Sequence, residues 1–569
     1  MRLNLLCILF YIFTASAALA DNFGLAMHGE PLLKNGESFS YANREAPKGG
    51  TLKQAVVGSF DTINPFTLKG KAAQGLNLFY DRLTIRSWDE PFTLYPLIAE
   101  QIITPPDRSS ITFILNKNAR FHDGTPITSD DVLFTFNLLK EKGRPNMRAV
   151  YKLVTRTEVK DKQTIMFQLG EGYNRESVMI LAMMPVLSKN YWQTKTFDQT
   201  SFTTPLSNGP YKISSIEEGR RIVFKKDQNY WAKDLPHLKG LYNFDTVAFD
   251  YFRDDSVAFE AFKSGDIDIR NEIDPAKWQT SYDGTRMRSG QIQKYEIPHG
   301  RTERMWGFIF NTRNAPFDNL NIRKALSLAL DKPWLNQNLF HGQYQSTNSF
   351  FANSDLAYSP NDKAKSFNLR QNLIKADGIL KAEGFVIKNG KRVNEKTKKP
   401  LTFEILIGSP DDEKIALAYK RTLEKLGVIV KLRSLDPTSF RDRLIRYDYD
   451  MVLYFWQNSL SPGTEQALNF SCAAAKEEGR FNYAGICDPE IDQIVKALPD
   501  IASRADLVKA TRTLDKKLIE SHIAIPLFHA GFDRIAADKR IGFPTRPALY
   551  GTVFEALWDK DAKPRKKTD

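Results

Sequence analysis

Cysteine and histidine are scarce in this chain of 569 residues, with three of the first and seven of the second. The histidines (His28, His122, His237, His299, His341, His522, His529) are scattered, and no two stand at the spacing that puts a pair of metal ligands on one helical face. No H-E-x-x-H, no G-x-S-x-G and no phosphate-binding glycine loop occurs, so metallopeptidase, serine-hydrolase and phosphoryl-transfer chemistry lack their sequence signals. No C-x-x-C pair is present, which argues against a redox dithiol. Beyond the first twenty residues, no apolar run approaches the length that spans a bilayer. Tandem repeats and low-complexity blocks are absent. Positive charge is in excess, 80 Lys+Arg against 67 Asp+Glu, but it is dispersed and no nucleic-acid-binding motif accompanies it. Dispersed charge of this kind serves solubility, and part of it sits in the tail Lys560–Lys567.

What is present begins with a leader. Met1–Ala20 has a positive start (Arg2), an apolar centre (Leu5–Phe13) and a small-residue cleavage site, Ala18-Leu19-Ala20, as a secretory signal does. Export to the periplasm is the expectation, with cleavage after Ala20. Cys7 leaves with the leader, so Cys472 and Cys487 remain. An even count in an oxidising compartment suggests one disulfide, worth about 3 kcal/mol for a loop of this size, with two unrelated buried thiols as the alternative. The remaining length suits two or three domains.

Local patterns indicate an α/β protein. Thr51–Val57 alternates as a strand does, and Gly58-Ser59-Phe60-Asp61 and Asn64-Pro65 then turn the chain. Thr128 or Ser129 caps a helix with Asp130 and Asp131 in its first turn and Gly143 at its end. Asp254–Lys263 is a short helix with Val257, Ala258 and Phe262 on its inner side, stopped by Gly265. Met305–Asn311 is strand-like, and an amphipathic helix follows through Ile322, Ala325, Leu326, Ala329 and Leu330. From Leu401 the order strand, helix, strand predicts a parallel pair. Asp411-Asp412-Glu413 has the composition of a cation site, but at a helix start the dipole explains it more simply.

The stretch richest in ligand-site signals is Tyr447–Gln466. Met451–Trp456 reads as a buried strand and breaks into Gln457, Asn458, Ser459, Ser461, Pro462 and Gly463. In open α/β sheets, ligands sit beyond the carboxyl ends of such strands, between apolar walls carrying a few placed polar groups.

Several blocks together resemble one family. RFHDGTPITSDDVLFTF, NGPYKISSIEEGRRIVFKKDQNYW, SGDIDI, FNTRNAPFDNLNIRKALSLALDK and YDYDMVLYFW occur in the order typical of family 5 extracellular solute-binding proteins. HGEPLLKNGESFSYANREAPKGGTLK, GSFDTINPF and QNSLSPGTEQ look like its YejA-like branch, whose relatives bind oligopeptides, including the peptide-nucleotide antibiotic microcin C. The resemblance implies a two-lobed receptor crossed twice by the chain. Lobe I spans 21–296 plus 527–569, with a subdomain inserted at about 67–204, and lobe II spans 297–526. It further implies a monomer without cofactor, metal or catalysis, which engulfs an oligopeptide or peptide conjugate and docks on an ABC permease with its ATPase subunits.

Peptide binding needs strand-edge donors and acceptors for the ligand main chain, expected from Gly58–Asp61 (with Ser59, Phe60 and Asp61), Asn64, Arg304–Phe308 and Tyr454–Ser459 (with Gln457). Trp306, Phe308, Phe455 and Trp456 then supply walls, and Arg304 holds a carboxylate. In peptide-binding relatives an acidic residue three positions after the tryptophan anchors the ligand amine. Ser459 stands there here, leaving Glu465 or Asp61 as substitutes. Two other readings stay open: a metal-chelate or haem receptor of the same fold, and a secreted hydrolase whose paired carboxylates leave no spacing in the sequence.

Overall fold

A computed structural model describes residues 23–358 and 367–562. The leader and most of the basic tail lie outside the described residues. Among the described residues, no helix is long and apolar enough to cross a membrane.

Two mixed sheets organise the chain. The first has seven strands in the order Ile292–Pro298, Phe532–Asp538, Ile269–Asn271, Thr51–Val57, Thr246–Phe252, Arg221–Lys226, Tyr211–Glu217. Thr51–Val57 runs parallel to Thr246–Phe252 in unbroken register. The second has five strands in the order Ile429–Ser434, Thr402–Ile407, Met451–Trp456, Met305–Phe310, Ala524–Pro526. Thr402–Ile407 and Ile429–Ser434 are the predicted parallel pair, joined by the helix Pro410–Glu424.

The chain passes between the sheets twice, through 299–304 and 527–531. Hydrogen bonds tie these crossings together. His299 N donates to Gly531 O (3.3 Å), and Gly531 N donates to Glu303 Oε1 (3.0 Å). The molecule is therefore two-lobed, with a paired hinge.

Inside lobe I, Ala99–Ile103, Ser110–Leu115, Thr164–Leu169 and Val154–Val159 form a separate four-stranded antiparallel sheet. Burial alternates residue by residue in Ser110–Leu115 and Thr164–Leu169, because one face packs on a helix and the other meets solvent. That helix, Ser129–Lys142, starts at a Thr128–Asp131 capping box and ends at Gly143.

The lobe II sheet is covered on both faces, which makes Met451–Trp456 almost continuously apolar. Met451 and Leu453 join a core with Phe308, Phe310 and Ile405, whereas Val452 and Trp456 join another with Met305, Ile309 and Leu406. One expectation needs correcting. In the helix Asp255–Ser264, Val257 is 50% exposed and the inner side is Ala258, Phe259 and Phe262. One residue is 100° of helix, so a stripe read one position out turns Val257 to solvent.

Candidate functional site

The hinge brings the carboxyl ends of the parallel strands face to face. In lobe I these ends are Val57, Phe252 and Asn271, on the edge from which the crossing departs after Pro298. In lobe II they are Ile407, Ser434 and Trp456, on the edge where Met305 pairs with Trp456. Between the lobes lies a cavity of about 800 Å³. Its lobe II wall includes Arg304, Trp306, Phe340, Tyr344, Tyr454 and Phe455, and Ile273–Ala276 of lobe I face it. The volume falls in the range of about 300–1,000 Å³ typical of small-ligand sites.

Strand register builds the aromatic wall. Trp306 and Phe455 are directly paired across two antiparallel strands. The Arg304 guanidinium lies 5.7 Å from the Trp306 ring centre and 5.3 Å from that of Phe455. Tyr454 stacks beside Phe455 (4.7 Å), and Phe340 meets Trp306 edge-on (6.3 Å). Arg534 of lobe I donates to Gln343 O (3.1 Å) and lies 5.2 Å from the Tyr344 ring, so this wall reaches across the hinge.

Acidic groups stand close by. Ser409 caps the helix Pro410–Glu424 and its hydroxyl donates to Asp412 Oδ2 (2.8 Å). Burial raises the Asp412 pKa above the ordinary carboxylate value, against the opposing pull of Ser409 and of the Arg304 charge. Asp274 caps the helix Pro275–Thr280, accepting from Ala276 N and Lys277 N. Lys414 and Arg441 also line the cavity, so both signs of charge are present. Hydrogen-bonding groups among aromatic walls can orient a small zwitterion.

Of the sequence-predicted site residues, Arg304, Trp306, Tyr454 and Phe455 come together on this cavity. Trp456 does not, and its expected role as a wall is corrected. It is 2% exposed, its indole N–H donates to Phe481 O (2.8 Å), and it packs on Phe350, Phe470 and Tyr483. Trp456 turns to the face opposite Phe455 and is sealed there by Phe350, Phe470 and Tyr483, whereas Tyr454, on that same face, still reaches the cavity rim beside Phe455. Phe308 is likewise core, fully buried against Tyr419.

Gln457 and Ser459 are exposed, and the Ser459 hydroxyl accepts from Ser461 N (3.1 Å). Glu465 accepts from Gly463 N (2.9 Å); burial first, then the nearby Glu176 charge, raises its pKa. The expected lobe I group does not line the cavity. Ser59 donates to Gly219 O, Asp61 accepts from Lys71 N, Asn64 donates to Phe197 O, and Phe60 packs on Phe202 and Tyr251. His529 is engaged with Thr347 (3.0 Å). Cys472 and Cys487 are joined in a disulfide, with Cα atoms 4.3 Å apart.

Phe340, Tyr344, Asp274, Phe440 and Arg441 were not anticipated. Ser409 and Asp412 carried a usable signal, since Gly408-Ser409-Pro410 follows the carboxyl end of a predicted strand.

Away from the residues that line this cavity, the lobes also touch. Thr464 Oγ1 donates to Glu176 Oε2 (2.7 Å), Gly29 N to Ala502 O (2.8 Å), and the His28 ring to Ile501 O (2.6 Å).

A family model described as bacterial extracellular solute-binding proteins, family 5 Middle, matches residues 93–477. A putative binding protein of Brucella melitensis is 38% identical over 95% of this chain and 94% of its own length. The peptidoglycan-binding protein YepA of Agrobacterium fabrum is 36% identical over 96% of each chain. The probable peptide-binding protein YejA of Agrobacterium fabrum is 32% identical over 94% of this chain and 93% of its own. Among solved structures, NikA of Brucella suis in complex with Fe(III)-EDTA superposes with a TM-score of 0.72 at 19% identity, over 90% of this chain and 100% of that one. The oligopeptide-binding protein AppA of Bacillus subtilis, in complex with a nonapeptide, does so with a TM-score of 0.67 at 21% identity over the same shares. The chain belongs to the family 5 extracellular solute-binding proteins, in their YejA-like branch.

Proposed function

We propose that the protein captures short peptides, free or conjugated in the manner of microcin C, in the cavity between its lobes. It acts as a monomer in the periplasm, without catalysis, and delivers its cargo to an ABC permease and its ATPase subunits. The lobes divide near the two crossings, and closure of one on the other traps the ligand. The observation that carries this reading is the pairing of both charge signs with an aromatic wall at the facing strand ends: Arg304 over Trp306 and Phe455, beside Asp412 and Asp274. A peptide carries an ammonium, a carboxylate and apolar side chains, and each has a counterpart there. The names of the two Agrobacterium relatives point the same way, one to peptides and one to peptidoglycan.

Native mass spectrometry of the protein from a periplasmic extract, followed by release and sequencing of the cargo, tests this. Short peptides are expected. A recovered metal complex would replace peptides with the chelate reading, and turnover of the cargo would replace binding with hydrolysis. In titrations, Arg304→Gln weakens binding of a peptide with a free carboxylate and leaves its C-terminal amide unaffected.

A further inference from the structure

A second cavity, of about 210 Å³, lies wholly within lobe I. Its floor is one face of the seven-stranded sheet, where Leu52 pairs with Val247 and Gln54 with Phe249. Leu52 and Gln54 belong to the amino-terminal part of their strand, whereas Val57 marks the end nearest the interlobe cleft. The roof is the turn around Gly75 and the C-terminal Phe554-Glu555. Gly75 has φ 83°, and a Cβ there would stand 2.3 Å from the Phe249 ring, so the turn closes tightly over that aromatic.

The lining is unusual in its charge. Tyr211, Tyr242, Phe249 and Phe554 surround the space, and Glu555 is the sole ionisable carboxylate or amine among the lining residues. Asn77 Nδ2 donates to Glu555 Oε1 (2.9 Å); burial raises the Glu555 pKa, opposed by its own backbone N–H and Asn77. Nearby, Lys226 donates to Tyr242 O (2.6 Å) and Lys48 to Leu241 O (3.2 Å) and Asn243. Tyr242 adopts φ 52°, a conformation rare outside glycine, and its N–H donates to Glu555 O (2.7 Å).

Glu555 is half-buried, and a carboxylate partly withdrawn from water gains from a cation beside it. Aromatic faces are negative and offer nothing to an anion, but they attract a cation, most strongly when it is shielded from water. The space is about a quarter of the interlobe cavity, 210 Å³ against 800 Å³, a size that suits a compact organic ion better than a peptide.

We infer that this cavity is a second ligand site, for a small alkylated ammonium ion, with Glu555 as counter-ion and the four rings as its cage.

Calorimetry on the full-length protein tests this, with tetramethylammonium and methylammonium chlorides as probes and sodium chloride at equal ionic strength as the blank. Saturable binding of an ammonium probe is expected, weakened about tenfold or more by Glu555→Gln and by Phe554→Ala, the scale of losing a desolvated partner. Arg304→Ala, which marks the interlobe cleft, leaves it unchanged. Absence of saturable binding in the wild type overturns the assignment. So does undiminished binding in both lobe I variants, or loss of binding in Arg304→Ala. Circular dichroism identifies a variant that fails to fold, and the other variant then decides.

Discussion

Phe455 and Trp456 are adjacent, similar in chemistry, and on opposite faces of one sheet. Phe455 pairs with Trp306, lies under Arg304 and borders the interlobe cavity. Trp456 is sealed among Phe350, Phe470 and Tyr483 with its N–H spent on Phe481 O. The difference teaches that the face a ring takes and what packs over it, rather than aromatic content at the strand end, decide which ring borders the cavity.

Trp456→Ala gives the largest effect. It removes a fully packed side chain and leaves its partners around a void, so stability falls by about 3–5 kcal/mol in denaturant unfolding. A loss under about 1 kcal/mol would place Trp456 outside the core and break the comparison. Phe455→Ala is its mirror image. Peptide affinity falls by about 2 kcal/mol, as for an aromatic anchor, while stability changes by less than about 1 kcal/mol. Titration and unfolding of both variants together provide the check. A stability loss with unchanged affinity at Phe455 would make both rings structural.

The same contrast explains how much was legible. Thr51–Val57, Ser129–Lys142 and Met451–Trp456 stood out because alternation, apolar runs bounded by turn residues, and caps are local sequence signals. The aromatic pair at a strand end was visible too, but assigning both rings to the ligand ignored the pleat. Ser59, Asp61 and Asn64 were misread for another reason. Turn residues spend their hydrogen bonds on nearby backbone, here Gly219, Lys71 and Phe197, and composition does not separate that from ligand binding. Phe340, Tyr344 and Arg441 reach the cavity through tertiary packing of short segments, which leaves no period to read. Asp412 was legible as a helix-start acid, and the partner across the cleft was the missing information.

The face of Trp456 leads into the turn that carries Thr464 onto lobe I, next to His28 and Ile501. Here a pH dependence is expected. Burial lowers the His28 pKa to about 4, with its bond to Ile501 O opposing and the charges of Arg504, Arg175 and Arg108 reinforcing. On the proposed lobe opening, His28 is expected to become solvated, with an ordinary value near 6.5. The open form then binds a proton that the closed form refuses, so closure weakens as pH falls from about 6.5 and levels off near 4. The limiting slope for one proton is about tenfold per pH unit. Small-angle scattering at fixed peptide concentration reads this, and His28→Gln flattens the curve. An equal slope in the variant would assign the titration elsewhere.

The smallest effect sharpens the comparison most. Arg304 is exposed, so its attraction to the Phe455 ring is worth only about 0.5–1 kcal/mol. A double-mutant cycle in unfolding free energy, combining Arg304→Gln with Phe455→Leu, isolates it, because leucine keeps much of the apolar bulk and removes the ring face. A parallel cycle with Trp456→Phe should give no coupling, since that ring lies behind the sheet and touches neither Arg304 nor the cavity. Coupling to Phe455 alone means the guanidinium is held by the cavity-facing ring, its donors left to a ligand carboxylate while the ring holds its plane. Equal coupling to both would mean that Arg304 acts through a shift of the whole strand, and the two faces would then be one energetic unit.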